Sequence, residues 1–192
     1  MEERPHKPRR DPKPATAAQL ETAALHYLER FASSSGNLRR VLRRKVARAA
    51  RAHGSDPAEG ERLIEEIVAR YLRSGLLDDR AYAAQQAASL RRRGASRYGI
   101  RGRLAMKGVG AELVDETLSA LDAEPGEGEL AAACALVRRR RLGPCRGPEQ
   151  RARFRQKDLA ALARAGFGIA TAQRVLAAVD AEALAVLERG EG

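Results

Sequence analysis

Two adjacent carboxylates, Asp78 and Asp79, are the residues of this chain that most resemble an acid–base pair. Catalytic carboxylates need neighbours that shift their pKa values apart. This pair instead follows the run Gly75-Leu76-Leu77 and precedes an alanine-rich segment, a setting typical of the first turn of a helix. Carboxylates in that turn accept backbone N–H groups. The sequence therefore predicts a helix-capping role for the pair rather than a catalytic one.

The other residues that could perform chemistry are few and scattered. His6, His26 and His53 lie far apart, and Cys134 and Cys145 have no histidine or carboxylate cluster at metal-ligand spacing. Neither a Gly-x-x-x-x-Gly-Lys-Ser/Thr run nor a Gly-x-Gly-x-x-Gly run occurs, so the familiar phosphate-binding loops are missing. We predict that the chain has no catalytic, cofactor or metal site and is not an enzyme, and that Cys134 is a small residue on a helix face.

Positive charge is the strongest chemical feature of the sequence. The chain carries 36 lysine and arginine residues against 25 acidic residues, a formal net charge of +11. This charge predicts a polyanion or an acidic protein surface as partner, and it does not choose between them. The candidate binding residues are Arg43, Arg44 and Lys45; Arg91, Arg92, Arg93, Arg97, Arg101, Arg103 and Lys107; and Arg138, Arg139, Arg140, Arg151, Arg155 and Lys157. A solvated arginine face and a concave binding surface both remain open as explanations.

The elements that position these residues are predicted to be helices. Aromatic residues make up only 4% of the chain, and the strong strand formers isoleucine and threonine are scarce. No apolar run approaches the roughly 20 residues of a membrane span, and the amino terminus is basic and rich in proline. We expect an all-α, cytoplasmic, monomeric protein without a membrane segment.

Caps and glycine stops divide the chain into short helices. Asp56-Pro57 and Ser96 are predicted to begin helices, and Gly94 and Gly108 to end them. Apolar stripes at helical period predict two buried faces in particular. The first helix is expected to bury Leu20, Ala24, Leu28 and Phe31, and the ninth Ile169, Val175, Leu176 and Val179. The residues after Asp180 could extend the ninth helix or fray.

A repeated phrase indicates tandem modules. Leu42, Leu104 and Leu162 recur about 60 residues apart, each near the end of the second helix of a triplet. Such a period predicts an elongated array of three three-helix repeats whose neighbours bury one another's faces. We assign a disordered basic tail to residues 1–15, repeats to 16–75, 76–122 and 127–180, and a C-terminal extension to 181–192.

These residues resemble a known family. The run from Gly75 to Asp79, the pattern Ile100-x-x-x-Leu104-x-x-Lys107-Gly108-Val109, and the Gly166-Phe167 pair are similar to those of the RecX family of recombinase regulators. The resemblance implies three tandem three-helix repeats. It also implies binding in the helical groove of the RecA nucleoprotein filament. The resemblance further implies that the protein modulates or inhibits the recombinase, ATPase and coprotease activities of RecA. These activities serve DNA repair and the SOS response. The first repeat departs from the pattern because no glycine follows Lys45.

Two other functions stay open. One is a sequence-tolerant DNA-binding protein with helix-turn-helix-like modules, although the helix that would read the bases carries Glu112, Asp115 and Glu116, which phosphates would repel. The other is an adaptor for a different acidic protein. If the protein binds the RecA filament, we expect single- and double-stranded DNA to be weaker, salt-dependent partners. Tyr82, Tyr98 and Phe154 could act as apolar anchors if they are exposed, but core packing is expected for Tyr82.

Overall fold

The computed structural model describes residues 13–124 and 128–189, and within these residues the protein is all-helical. The described ranges contain ten α-helices and one short 3₁₀ turn at Gly143–Cys145, and no strand. The helices are α1 Ala17–Leu28, α2 Ser35–His53, α3 Pro57–Arg73, α4 Asp79–Arg92, α5 Arg97–Met106, α6 Ala111–Ala123, α7 Glu129–Arg140, α8 Pro148–Arg164, α9 Ile169–Leu176 and α10 Ala181–Arg189. The expected disorder of residues 1–15 and the last residues of the predicted extension lie largely outside the described ranges.

The helix boundaries follow local backbone chemistry. Asp56 caps α3 by accepting a hydrogen bond from the Ala58 amide at 2.9 Å, and Ser96 caps α5 by accepting one from Gly99 at 3.0 Å. Both caps confirm the sequence prediction. Gly94 and Gly108, the predicted stops, each adopt a φ of 77°, in the left-handed region that favours glycine.

The chain divides into two compact units, residues 1–78 and 79–192. In the first unit, α1, α2 and α3 surround a core that includes Leu20, Leu38, Leu42, Ile64 and Val68. The helix α2 continues without interruption to His53, as expected from the missing glycine after Lys45. Gly60 allows α3 to approach α2 closely, because a β-carbon there would lie 2.4 Å from Cγ1 of Val46.

The second unit contains two helix groups, each with its own core. In the group α4–α6, the buried residues include Ile100, Leu104 and Leu118. In the group α7–α10, they include Leu136, Leu162, Val175 and Leu184. Leu42, Leu104 and Leu162, the repeated leucines, are all buried and lie on α2, α5 and α8, the second helix of each group. This position agrees with the predicted three-helix period.

Glycine permits the two groups of the second unit to meet at backbone distance. A β-carbon on Gly94 would lie 2.6 Å from the backbone nitrogen of Leu136 in α7. The Ser96 hydroxyl donates a hydrogen bond to the Ala165 carbonyl at 2.6 Å, joining the start of α5 to the end of α8. These contacts fix α4 and α5 against the last group.

Some predicted buried residues are exposed. Ile169 and Val179 are 68% and 71% exposed, so the prediction that both face the core is wrong. Ile169 is the first residue of α9, and Val179 lies beyond its last residue, Leu176. Phe31 is likewise exposed, because α1 ends at Leu28 before the stripe reaches it.

The residues after Asp180 form a separate helix. The Asp180 carboxylate accepts a hydrogen bond from the Ala183 amide at 2.8 Å and so begins α10. Leu184 of α10 is buried in the same core as α7. The last helix group therefore has one helix more than the repeat pattern predicts.

Candidate functional site

The basic residues of α2 have two different environments. Arg43 donates a hydrogen bond from Nε to Glu61 of α3 at 2.8 Å, and this hydrogen bond lowers the pKa of Glu61. Arg39 is similarly bound to Glu65 at 2.9 Å. Arg44 and Lys45, by contrast, are exposed and form no ion pair with a described residue. The positive charge that remains available on α2 therefore includes these two side chains, together with Arg48 and Arg51, which are also exposed and form no ion pair with a described residue.

Lys45 lines an open groove between α1 and α2 that has a volume of about 410 Å³. Lys13, His26 and Arg48 line the same groove, and no carboxylate does so among the described residues. The cations Lys13, Lys45 and Arg48 of this groove can bind an anion such as a phosphate. Sequence reasoning missed His26 and Arg48 as residues of this groove; the spacing of Lys45 and Arg48 on one helix face was the available signal.

Arg91 is not part of any exposed surface, so its prediction as a binding residue is corrected. The residue is 2% exposed, and its guanidinium bonds to Asp122 of α6 and Glu129 of α7. The backbone amide of Arg97 donates to the same Glu129 carboxylate at 2.8 Å. Arg91 thus joins three helices through buried charge. Its neighbours Arg92 and Arg93 are exposed.

Acidic residues of α6 bind much of the positive charge around α5. Arg97 forms an ion pair with Asp122, and Arg101 forms one with Asp115. Arg80 of α4 is paired with Glu116 at 2.7 Å. Arg103 and Lys107 are exposed, and Arg103 has no ion pair with a described residue. The basic surface of this group is therefore smaller than the sequence indicates.

The candidates near α7 and α8 include residues that hold the fold together. Arg138 is paired with Glu188 of α10. Arg151 donates hydrogen bonds to the carbonyls of Arg146 and Pro144 at 3.1 and 3.2 Å, and also to that of Val179. Arg155 reaches the Leu176 carbonyl at the end of α9 at 3.5 Å. Arg139, Arg140 and Lys157 are exposed and form no ion pair within the described ranges.

A buried carboxylate anchors the loop before α8. Asp158 accepts a hydrogen bond from the Gly143 amide at 2.8 Å and two from the Arg146 guanidinium, each at 2.8 Å. Burial opposes the ionisation of Asp158, but these hydrogen bonds outweigh it and lower the pKa of the carboxyl group. The Arg146 guanidinium also lies 4.7 Å from the ring centre of Phe154. Asp158 has a structural role that the sequence did not reveal.

The three aromatic residues considered as apolar anchors differ in their exposure to solvent. Tyr82 is buried, as expected. Phe154 is half-buried, and the cations of Arg146, Arg153 and Lys157 surround its ring. Tyr98 is 75% exposed and lies beside the turn at Gly166. Tyr98 is therefore the aromatic residue of the three that can contact a partner.

The described residues offer no evident catalytic centre. No group of three or more His, Cys, Asp or Glu side chains in these ranges could hold a metal ion. Burial raises the pKa of Cys134 to about 11 and also raises that of Cys145, so both thiols stay protonated near neutral pH. No helix in the described ranges is both long and apolar enough to cross a membrane.

Comparison with known proteins identifies the family. Residues 78–118, which contain α4, α5 and part of α6, match the family described as RecX, second three-helix domain. The chain is 43% identical over 166 residues to the regulatory protein RecX of Myxococcus xanthus, covering 86% of this chain and 88% of that protein. It is 30% identical over 165 residues to the regulatory protein RecX of Agrobacterium fabrum, covering 86% and 85%. No solved structure gives a significant match. The chain belongs to the RecX family of regulatory proteins.

Proposed function

We propose that this protein is a non-enzymatic regulator that binds the RecA nucleoprotein filament in its helical groove and inhibits its recombinase, ATPase and coprotease activities. The observation that carries the proposal is the 43% identity to a regulatory protein RecX over 86% of the chain. The groups α1–α3, α4–α6 and α7–α9 correspond, in this proposal, to three repeats that act together in one monomer. The roles in DNA repair and the SOS response follow from RecA as the target.

The distribution of charge supports a partner that is partly nucleic acid and partly protein. Exposed basic side chains without an ion pair to a described residue occur in every helix group. Among the residues predicted to bind, they are Arg44 and Lys45, Arg93 and Arg103, and Arg139, Arg140 and Lys157. A RecA filament presents both DNA phosphates and protein surface. Exposed apolar residues such as Tyr98 and Ile169 suit the protein part, because they gain free energy when a partner covers them.

Direct DNA binding without RecA is the second candidate function. It is favoured by the groove lined by Lys13, His26, Lys45 and Arg48, which can hold phosphates. Base readout by the α5–α6 pair is disfavoured, because Glu112, Asp115 and Glu116 on α6 are exposed and would repel the DNA backbone. We therefore assign DNA affinity a secondary, sequence-tolerant role.

Binding to two substrates at the same salt concentration separates these functions. We would measure affinity for naked single-stranded DNA and for the same DNA coated with RecA. A filament regulator binds the coated DNA more tightly. A plain DNA binder binds it less tightly, because RecA covers the phosphates. Tighter binding to the naked DNA would contradict the proposal.

A further inference from the structure

A shallow apolar groove lies between α8 and α9, away from the ion pairs described above. It has a volume of about 220 Å³, and its lining consists of Gln156, Leu159, Ala160, Ala163, Phe167, Ile169 and Ala172. Phe167 and Ala172 are buried, whereas Ala160, Ala163 and Ile169 are exposed. The small alanine side chains therefore leave an opening over an apolar floor. The space suits a single leucine or phenylalanine side chain from outside.

An exposed aromatic residue packs against Gly166, the residue before the groove residue Phe167. Gly166, three residues after Ala163, packs against Tyr98, since a β-carbon on Gly166 would lie 2.9 Å from Cδ1 of the tyrosine. Tyr98 belongs to α5, and the hydrogen bond from Ser96 to the Ala165 carbonyl holds the start of that helix in place. Tyr98 is thus exposed beside Gly166, which directly precedes the groove residue Phe167. Exposed apolar side chains near an apolar groove are typical of a site that a protein partner covers.

The rim of the groove is positively charged. Arg164 stands four residues after Ala160, so helical geometry places it beside the opening. Lys157 stands three residues before Ala160, but its ammonium lies 5.4 Å from the ring centre of Phe154, outside the groove lining. Arg164 donates a hydrogen bond from Nε to the Ala160 carbonyl at 3.2 Å, which holds its guanidinium there. No described carboxylate lines the groove. The nearby Asp158 is buried against Arg146, and Glu149 is about two turns before Gln156 on α8.

We propose that this groove binds an apolar side chain from an acidic segment of the filament protein, an inference that rests on the proposed function. The basic rim attracts carboxylates that flank the apolar anchor. A second copy of this chain is disfavoured as occupant, because each copy carries a net charge of +11. Nucleic acid is disfavoured too, since Gln156 is the one polar side chain in the lining and the Phe167 ring is buried.

A charge placed inside the groove tests the proposal. Ala163→Glu introduces bulk and a carboxylate at an exposed position, whereas Ala120→Glu makes the same change on an exposed face of α6. We expect Ala163→Glu to weaken binding to RecA-coated DNA at least ten-fold, and Ala120→Glu to change it less than two-fold. Both variants should bind naked single-stranded DNA equally well. Circular dichroism verifies that each variant is folded.

The outcomes distinguish this inference from the proposed function. Suppose that the unaltered protein binds RecA-coated DNA tightly and that Ala163→Glu binds it within two-fold of the same affinity. The groove inference is then wrong while the proposed function stands. If the unaltered protein prefers naked DNA, both are wrong. An Ala163→Glu variant that loses affinity for naked DNA to the same extent would also refute the groove inference, because the groove would then face nucleic acid.

Photo-crosslinking identifies the occupant directly. Ile169→p-benzoylphenylalanine puts a photoreactive group at the exposed edge of the groove. After irradiation of the complex with RecA-coated DNA, we expect a crosslinked RecA peptide that contains several Asp or Glu residues and a large apolar residue. Crosslinks confined to DNA, to a second copy of the chain or to a basic RecA peptide would overturn the proposal.

Discussion

The buried arginine that joins α4, α6 and α7 offers the most quantitative prediction. The Arg91 guanidinium is bound to Asp122 and Glu129, and its side chain is 1% exposed. Arg91→Met keeps an unbranched apolar stem, shortens the side chain and removes the charged guanidinium. Breaking a buried ion pair from one side costs about 3–5 kcal/mol, because the remaining charges lose their partner. Here the two carboxylates are 30% and 31% exposed and can regain water, so we expect a loss near the lower limit, about 3 kcal/mol.

Hydrogen exchange locates this loss within the molecule. Because 1.4 kcal/mol corresponds to a factor of ten, slow amides of α4, α6 and α7 should exchange about 100-fold faster in Arg91→Met. Amides of α2 and α3 serve as an internal control, since they belong to the first compact unit and their rates should not change. Arg93→Met, at an exposed position two residues away, should alter every rate less than about three-fold.

Two results would refute this reasoning. Exchange in α4 and α7 within three-fold of the unaltered protein would mean that the arginine and its two carboxylates contribute little net stability. Equal acceleration in the first unit would mean that the loss is not local to the second unit. Arg91→Lys provides an intermediate case, because one ammonium group cannot reproduce the fork that reaches both Asp122 and Glu129.

Three further predictions concern other features of the structure. Gly94→Ala should lower the free energy of unfolding by at least about 3 kcal/mol, and Gly75→Ala should lower it by about 1–2 kcal/mol. Both glycines have a positive φ, but only a β-carbon on Gly94 would meet Leu136. Urea unfolding measures the difference. Asp158→Asn should cost about 2 kcal/mol at pH 7. The pKa of Asp158 is lower in the folded protein than in the unfolded chain, where it is about 3.9. The ionised carboxylate therefore stabilises the fold above about pH 3.9, and this stabilisation is lost as the pH falls through the folded pKa. Between pH 5 and pH 3 the Asp158→Asn variant should therefore lose less stability than the unaltered protein. Lys45→Gln should reduce the slope of log affinity for naked DNA against log salt by about 1, and Arg62→Gln, whose guanidinium is paired with Glu59 and Glu66, should leave it unchanged.

Local features of the fold were predictable because short stretches of sequence determine them. The cap at Ser96 and the stop at Gly94 depend on residues within one helical turn, so the sequence displays them directly. The repeated leucines were recognisable for the same reason, since a buried stripe is a local pattern. The separate helix α10 was also signalled by Asp180, a capping residue followed by a helix-forming segment.

The candidate site was less predictable because it depends on pairing between distant residues. The run of three arginines predicts that Arg91 belongs to an exposed basic surface that could bind a partner. Its partners come from helices 31 and 38 residues further along the chain. One local signal was available: Arg91 follows Ala87 and Ala83 at intervals of four residues, and both alanines are buried. The ion pairs of Arg101 and Arg138 had no comparable signal.

We propose that this protein inhibits RecA. The most direct test is RecA-driven DNA strand exchange in the presence of increasing amounts of the purified protein, with ATP hydrolysis by the purified protein alone as a control. We predict that strand exchange falls progressively and that the protein alone hydrolyses no ATP. Strand exchange that proceeds at an unchanged rate with saturating protein would contradict the account.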